Sequence, residues 1–277
     1  MPAACAAPPG CGRAAVTDDP PAARLAFAHA LIREAGALAA GYFQRLDSLA
    51  VEKKGVRDML SEADLATERL IRGRLAAAFP TDGFLGEESG HAAIDSASGV
   101  WVVDPIDGTE PFISGLPNWC VSIAYVRDGR IEIGLVFDPT GDELFAACRG
   151  RPATLNGRPI RPHAGRTLTD GIVSVGYSPR VEPARILPVL RKLLEQGGIF
   201  HRNGSGALSL CYVACGRLLG YVEPHINSWD CLAAIAVIEG AGGRTNDFLT
   251  GDALLKGNCI VAGPAAVFPQ LAALLEP

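Results

Sequence analysis

Apolar positions recur at helical spacing near the start of the chain. Leu25, Ile32, Ala35 and Leu38 fall close to one stripe of an Ala-rich segment and predict a long first helix over 21–46. A polar stretch from Lys53 to Asp58 interrupts the pattern and is expected to be a loop. Ser61-Glu-Ala-Asp64 then has the form of a helix start, and Leu65, Leu70, Ile71 and Leu75 carry that helix to Phe79-Pro80. After Phe84-Leu-Gly-Glu87-Glu88-Ser-Gly90 comes the apolar run Trp101-Val-Val103, a strand that delivers Asp104 at its end. Two β-rich runs, 121–126 and 130–136, flank Asp128-Gly129, a dipeptide that favours a tight hairpin. A strand over 143–148 extends this pair to an antiparallel meander.

Beyond a turn at Asn156-Gly157, the pattern predicts strands over 171–175, 220–222 and 259–262. Helices are expected over 183–196, 205–215, 229–241 and 264–275. Strands and helices in mixed order, with a clear hairpin, argue for α+β sheets rather than a regular parallel series. No repeat, low-complexity linker or charge block interrupts this span. Two halves, about 21–160 and 161–277, are therefore read as one layered domain, with residues 1–20 a disordered leader.

Composition narrows the class. Of 277 residues, 48% are hydrophobic and 20% charged, the balance of a globular chain. A net charge of −5 offers no basic surface for nucleic acid or anionic lipid, so neither is an expected partner. No apolar run approaches the roughly 18 residues needed to span a bilayer. The longest candidate, Cys231 to Ile238, lies between Asp230 and Glu239 and reads as a buried helix. The Ala- and Pro-rich first residues lack the basic and apolar regions of a signal peptide. Eight cysteines without a CxxC pair fit a reduced, cytoplasmic setting, and Cys211 and Cys215, one helical turn apart, read as packing. His201 and His225 belong to no metal-binding spacing and are expected at the surface or in hydrogen bonds.

Candidate chemistry centres on Asp104-Pro-Ile-Asp107-Gly-Thr109. Paired carboxylates, then Gly and a hydroxyl, suit a hard cation that takes oxygen ligands and keeps room for a phosphate. Gly86-Glu87-Glu88 and Asn227-Ser-Trp-Asp230 add acids from elsewhere in the chain. Each motif has a plainer reading too. Ser61-Glu-Ala-Asp64 is an acceptable capping box, Asp-Pro-Ile-Asp-Gly could be only a turn, and the dipole favours any Asp in a first helical turn, where Asp230 is expected. Glu88 could support Glu87 or face solvent.

Five segments in order, Ser61-Glu-Ala-Asp64, Gly86-Glu-Glu-Ser89, Asp104-Pro-Ile-Asp-Gly-Thr109, Gly204-Ser-Gly-Ala207 and Trp229-Asp230 with Glu239-Gly-Ala-Gly-Gly243, resemble the inositol monophosphatase family over about residues 25–275. The resemblance implies a layered α-β-α-β-α sandwich of the inositol monophosphatase and fructose-1,6-bisphosphatase type. It also implies a lithium-sensitive, Mg²⁺-dependent phosphomonoesterase, active as a homodimer with two or three ions per site. Carried over residue by residue, Glu87, Asp104 and the Ile106 carbonyl bind one Mg²⁺, and Asp104, Asp107 and Asp230 bind a second. Glu87, Asp64 and Thr109 orient the attacking water, the Thr hydroxyl pairing with the Asp on the preceding helix. The phosphate rests on the backbone of Gly108 and Thr109, among Glu87, Ile106, Asp107 and Asp230. Gly204, Ser205, Gly206 and Glu223 hold the hydroxylated part of the substrate. Inositol monophosphate is the default substrate. Histidinol phosphate, a sugar phosphate, a nucleotide phosphate, or a regulatory role beside RNA polymerase are the alternatives. One departure stands out: Glu110-Pro111 follows Thr109 where the family commonly has a small polar residue and Asn.

Overall fold

The strand Val100–Asp107 is buried along its whole length because both faces of its sheet are covered. Side chains alternate across it. Trp101 and Val103 enter one core with Ile123, Tyr125, Ile133 and Leu135, and Val100 and Val102 enter another with Ala124, Val136 and Phe145. The computed structural model describes residues 20–46, 51–53, 59–92, 94, 97–179 and 181–276. The expected leader, apart from Pro20, and residues 54–58 of the expected polar loop lie outside these.

Two large sheets carry the architecture. The larger has eight strands in the order Arg158–Pro159, Thr154–Leu155, Glu143–Cys148, Arg130–Asp138, Cys120–Arg127, Val100–Asp107, Gly83–Gly86, Gly90–Ala92. Among the described residues, its one parallel pairing joins Gly83–Gly86 to Val100–Asp107. The smaller has five, ordered Ile199–His201, Ile172–Val175, Gly220–Ile226, Asn258–Gly263, Arg244–Thr245. Helices Pro20–Phe43 and Glu62–Ala78 cover the outer face of the larger sheet. Helices Gly206–Ala214 and Leu232–Gly240 fill the space between the sheets, and Pro183–Glu195 and Phe268–Leu275 close the far face of the smaller one. The result is the α-β-α-β-α layering that the motifs imply. Leu232–Gly240 is apolar on every side, as a helix between two sheets must be, and each residue from Leu232 to Ile238 is buried.

The expected hairpins form at their turn residues. Asp128 (φ 52°) and Gly129 (φ 69°) both adopt the left-handed region, as do Asn156 (φ 49°) and Gly157 (φ 77°). Other boundaries differ. The first helix ends at Phe43, Gly220–Ile226 runs beyond the expected 222, and an unexpected strand pair, Val51–Lys53 with Met59–Ser61, takes in Lys53 of the expected loop. Helices Thr109–Ile113 and Ala253–Lys256 and strands Ile199–His201 and Arg244–Thr245 are too short to imprint a period on the sequence.

One contact sets the spacing between layers. A Cβ placed on Gly134, in Arg130–Asp138, would lie 2.2 Å from the Ala233 carbonyl oxygen and 2.8 Å from the Ala236 methyl. Gly134→Ala is therefore expected to lower stability by about 1–3 kcal/mol in urea unfolding, through forced separation of helix and sheet. Gly73→Ala, on a helix surface with nothing within 4 Å, should instead raise stability by roughly 0.5–1 kcal/mol.

Candidate active site

Asp104 and Asp107 are an odd number of residues apart, so a regular strand would present them on opposite faces. The pairing prevents this. Asp104 lies opposite Ser122 and Asp107 opposite Cys120, with a shift of register between them. The extra residue, within Pro105-Ile106, forms a bulge that turns both acids toward the face shared by Ser122 and Cys120. Proline is tolerated there because a bulge residue need not donate to the ladder. The Ile106 N–H donates to Asp104 Oδ1 at 2.9 Å, and the Ile106 side chain is buried with Phe112 and Trp119.

Two further acids converge on Asp104 from other elements. The parallel register sets Gly86 beside Val103, and the Glu87 N–H donates to the Val103 carbonyl at 3.2 Å. Asp230 arrives on the turn after Gly220–Ile226, its Oδ2 accepting from the backbone and side-chain N–H groups of Asn227, each at 3.3 Å. Ser122 Oγ donates to the Trp229 carbonyl at 3.0 Å and ties this turn to the larger sheet. Asp230 was expected in a first helical turn. It instead precedes Cys231, the N-cap of Leu232–Gly240, so the turn rather than the helix aims it. Glu87, Asp104 and Asp230 each offer an oxygen within 4.8 Å of the other two. All three donors are carboxylates, the set a hard cation prefers. Asp64 is fully buried on Glu62–Ala78 and near enough to act electrostatically on Glu87.

Asp107 stands apart from that trio. Its Oδ2 accepts from Ser205 Oγ at 2.5 Å and from the Ala207 N–H at 2.7 Å, and its Oδ1 from the Gly206 N–H at 3.3 Å. It thus serves as the anion at the start of Gly206–Ala214, where aligned peptide dipoles favour negative charge. Ser205 caps the same helix by accepting from the Leu208 N–H.

Crowding and burial shift the acids upward. Burial, then the neighbouring Asp230, Glu88, Asp64 and Asp107 charges, raise Glu87. Burial with the Glu87, Asp107 and Asp230 charges raises Asp104, whose carboxyl also shares a hydrogen bond with Asp230. Asp107 is raised by burial and Asp230 to about 7, the Ser205, Ala207 and Gly206 donors opposing the rise.

A cleft of about 170 Å³ opens beside the cluster. Glu87, Asp107, Gly108, Thr109, Gly204, Ser205, Gly206, Glu223 and Asp230 line it, so most of the expected substrate residues come together. Gly108 (φ 97°) begins the helix Thr109–Ile113 without any side-chain cap. A Cβ there would lie 2.6 Å from the Asn118 carbonyl, so both space and conformation call for glycine. Thr109 Oγ1 donates to the Ile106 carbonyl at 3.2 Å. Glu223 is buried, accepts from the Tyr221 hydroxyl at 2.6 Å, and is pushed by burial and the Asp230 and Asp107 charges up to about 8.

The departure at Glu110-Pro111 finds its reason here. Pro111 lies in the first turn of its helix, where a missing N–H breaks no helical bond, and the first such bond runs from the Phe112 N–H to the Gly108 carbonyl. Its ring packs against Gly204, where a Cβ would lie 2.6 Å from it. Glu110 is exposed at the cleft rim.

Several supporting residues carried no obvious signal. Ser122, Asn227 and Tyr221 act through contacts that only the fold creates. Glu68 is buried and accepts from the Glu88 and Ser89 N–H groups. Its spacing four residues after Asp64, on one helix face, was the available clue. Among the histidines, His225 is hydrogen-bonded to the Lys256 carbonyl, in keeping with the plainer reading.

The inositol monophosphatase family model matches residues 22–277. The chain belongs to that family. Nus factor SuhB of Haemophilus influenzae is 35% identical over 248 residues, 88% of this chain and 92% of that protein. Inositol-1-monophosphatase of Rhizobium meliloti is 36% identical over 245 residues, again 88% and 92%. The crystal structure of the extragenic suppressor protein SuhB from Bartonella henselae superimposes with a TM-score of 0.85 at 33% identity, over 92% of this chain and 98% of that one.

The acid shifts have a thermodynamic consequence. Asp107 moves from an ordinary 3.8 to about 7 and Glu223 from 4.5 to about 8, so the fold binds more protons than the unfolded chain across that interval. Their contribution to stability is complete below the unfolded values and is lost as pH rises through the folded ones. In chelator, Tm from scanning calorimetry should fall between about pH 5 and about pH 8, and Asp104→Asn should flatten that fall. A Tm that rises over this window contradicts the crowded-acid account.

Proposed function

We propose that the protein is a Mg²⁺-dependent phosphomonoesterase acting on a small polyol phosphate, with inositol monophosphate the foremost substrate. The observation that carries this reading is the convergence of Glu87, Asp104 and Asp230 oxygens within 4.8 Å at the edge of a cleft lined by hydroxyl and backbone donors. Family membership and the Rhizobium meliloti relative's name support it. The reading takes residues 21–277 as the catalytic domain.

Glu87, Asp104 and the Ile106 carbonyl would hold one ion, and Asp104, Asp107 and Asp230 would hold a second. Mg²⁺ supplies the positive charge that lets an anionic phosphate enter an acidic cleft, and it acidifies water there. The chain's own groups do the positioning. Thr109 Oγ1 spends its proton on the Ile106 carbonyl, so its lone pairs are left to accept from water and fix its direction. Glu87, backed by Asp64, would take that water's proton as its oxygen bonds to phosphorus, while the bond to the ester oxygen breaks on the opposite side and the polyol leaves as its alcohol, protonated from solvent. The uncapped turn at Gly108 and Thr109 receives the phosphoryl oxygens on backbone N–H groups. Phosphoryl transfer asks mainly for such positioning and charge neutralisation, so no protein nucleophile is required. Gly204, Ser205, Gly206 and Glu223 receive the substrate hydroxyls across the cleft. Histidinol phosphate is the main alternative substrate, its amine matched to Glu223.

A second reading rests on the relatives named Nus factor SuhB. It is a regulatory role beside the transcription machinery, and it can coexist with catalysis on the same fold. Turnover separates the cases: a panel of inositol, histidinol, sugar and nucleotide phosphates with Mg²⁺ should give phosphate release on at least one, and silence on all of them removes the enzymatic reading.

Asp104→Asn should cut kcat/KM by about three orders of magnitude, the several kcal/mol that a correctly held ion contributes, with the circular dichroism spectrum unchanged. Glu223→Ala should act differently, raising KM for the polyol phosphate about tenfold, as expected for a lost buried hydrogen bond, while the Mg²⁺ activation curve stays in place.

A further inference from the structure

Glu87 lies on a tight turn between Gly83–Gly86 and Gly90–Ala92, whose register sets Gly86 opposite Gly90. The turn therefore consists of Glu87, Glu88 and Ser89, and each of its backbone donors has a partner. The Glu87 N–H reaches the Val103 carbonyl, next to Asp104 in the chain. The Glu88 N–H donates to Glu68 Oε2 at 2.9 Å and the Ser89 N–H to Glu68 Oε1 at 2.8 Å. Glu68 is only 3% exposed. Its helix is anchored by Ile71 and Leu75, which enter the core with Phe84 and Trp101. Gly86 leaves the carboxylate its place, since a Cβ there would lie 2.4 Å from Glu68 Oε2.

A carboxylate is acceptor-only when ionised, and two N–H donors on its two oxygens make charge-assisted bonds of the stronger kind. The pair of bonds spans the turn like a clamp. Without it, mutual repulsion among Glu87, Asp104 and Asp230 would push the Glu87 turn away from Asp104. The Glu87 N–H ties the turn to the neighbouring strand, and the Glu88 and Ser89 N–H groups tie it to Glu68.

We infer that Glu68 is a positioning residue that holds the Glu87 turn in its ion-binding arrangement before any cation arrives. The inference rests on the reading of Glu87, Asp104 and Asp230 as the cation site, and it extends that reading to a residue that touches neither ion nor substrate. Glu68→Gln keeps the shape but sets an NH₂ group against one of the two turn N–H groups.

The test uses the full chain and Mg²⁺ alone as the probe. In the metal-free parent, the Glu88 and Ser89 amides should exchange slowly with solvent and change little when Mg²⁺ is added. In Glu68→Gln, their exchange should accelerate about tenfold or more, and the calorimetric Kd for Mg²⁺ should weaken about tenfold, the effect typical of residues behind a metal ligand. Overturning results are amides that exchange fast in the metal-free parent and slow only with Mg²⁺, or a variant that binds Mg²⁺ as the parent does. The parent measurement stands even if the variant fails to fold. Asp104→Asn serves as the control: if it binds Mg²⁺ as the parent does, the cation-site reading has failed, whereas the Glu88 and Ser89 exchange still judges the clamp.

Discussion

Carboxylates do not gather unless something holds them, and here a single extra residue in one strand begins the gathering. The bulge at Pro105-Ile106 turns Asp104 and Asp107 to one face, and the parallel neighbour and the turn before Leu232–Gly240 then bring Glu87 and Asp230 alongside. The fold opposes its own repulsion in different ways at each acid. Asp107 is satisfied by the start of Gly206–Ala214, whereas burial and the charges of their neighbours raise the proton affinity of Glu87 and Asp104.

This arrangement requires layers that do not yield. Glu87, Asp104 and Asp230 come from different elements, so a small slip between helix and sheet would move one carboxylate against the others. The contact of Gly134 with the backbone of Leu232–Gly240 limits that slip on the inner face. On the outer face, Arg24 on the first helix makes a two-pronged ion pair with Asp82, whose carboxylate also accepts from Ser98 and Trp101. Arg24 further lies over the rings of Phe79 and Tyr125, joining first helix, second helix and sheet at one point.

Much of this was legible in the chain. The dipeptides Asp128-Gly129 and Asn156-Gly157 encode their turns through local conformation alone, and the helices betray themselves by apolar spacing. The acids of the site were readable because their types and order carry chemistry. What escaped depends on long-range geometry. The spacing of Asp104 and Asp107 does not reveal that a bulge reconciles their faces, and nothing near Asp107 announces that the start of Gly206–Ala214 will claim its oxygens. Thr109 meets the Ile106 carbonyl because Gly108, in the left-handed region, turns the chain between them. Asp82 and Glu68 look like ordinary surface acids until Arg24 and the Glu87 turn close over them.

The fold holds these acids together at the expense of raised proton affinity, so a cation bound there would compete with protons for the same oxygens. Calorimetric titration of Mg²⁺ into the metal-free protein near neutral pH, repeated in buffers of different ionisation enthalpy, measures this directly. The apparent enthalpy should change with buffer in proportion to protons released, and affinity should strengthen as pH rises. Binding with no buffer dependence, and with affinity unchanged by pH, would show that the carboxylates were already free of protons and contradict that competition.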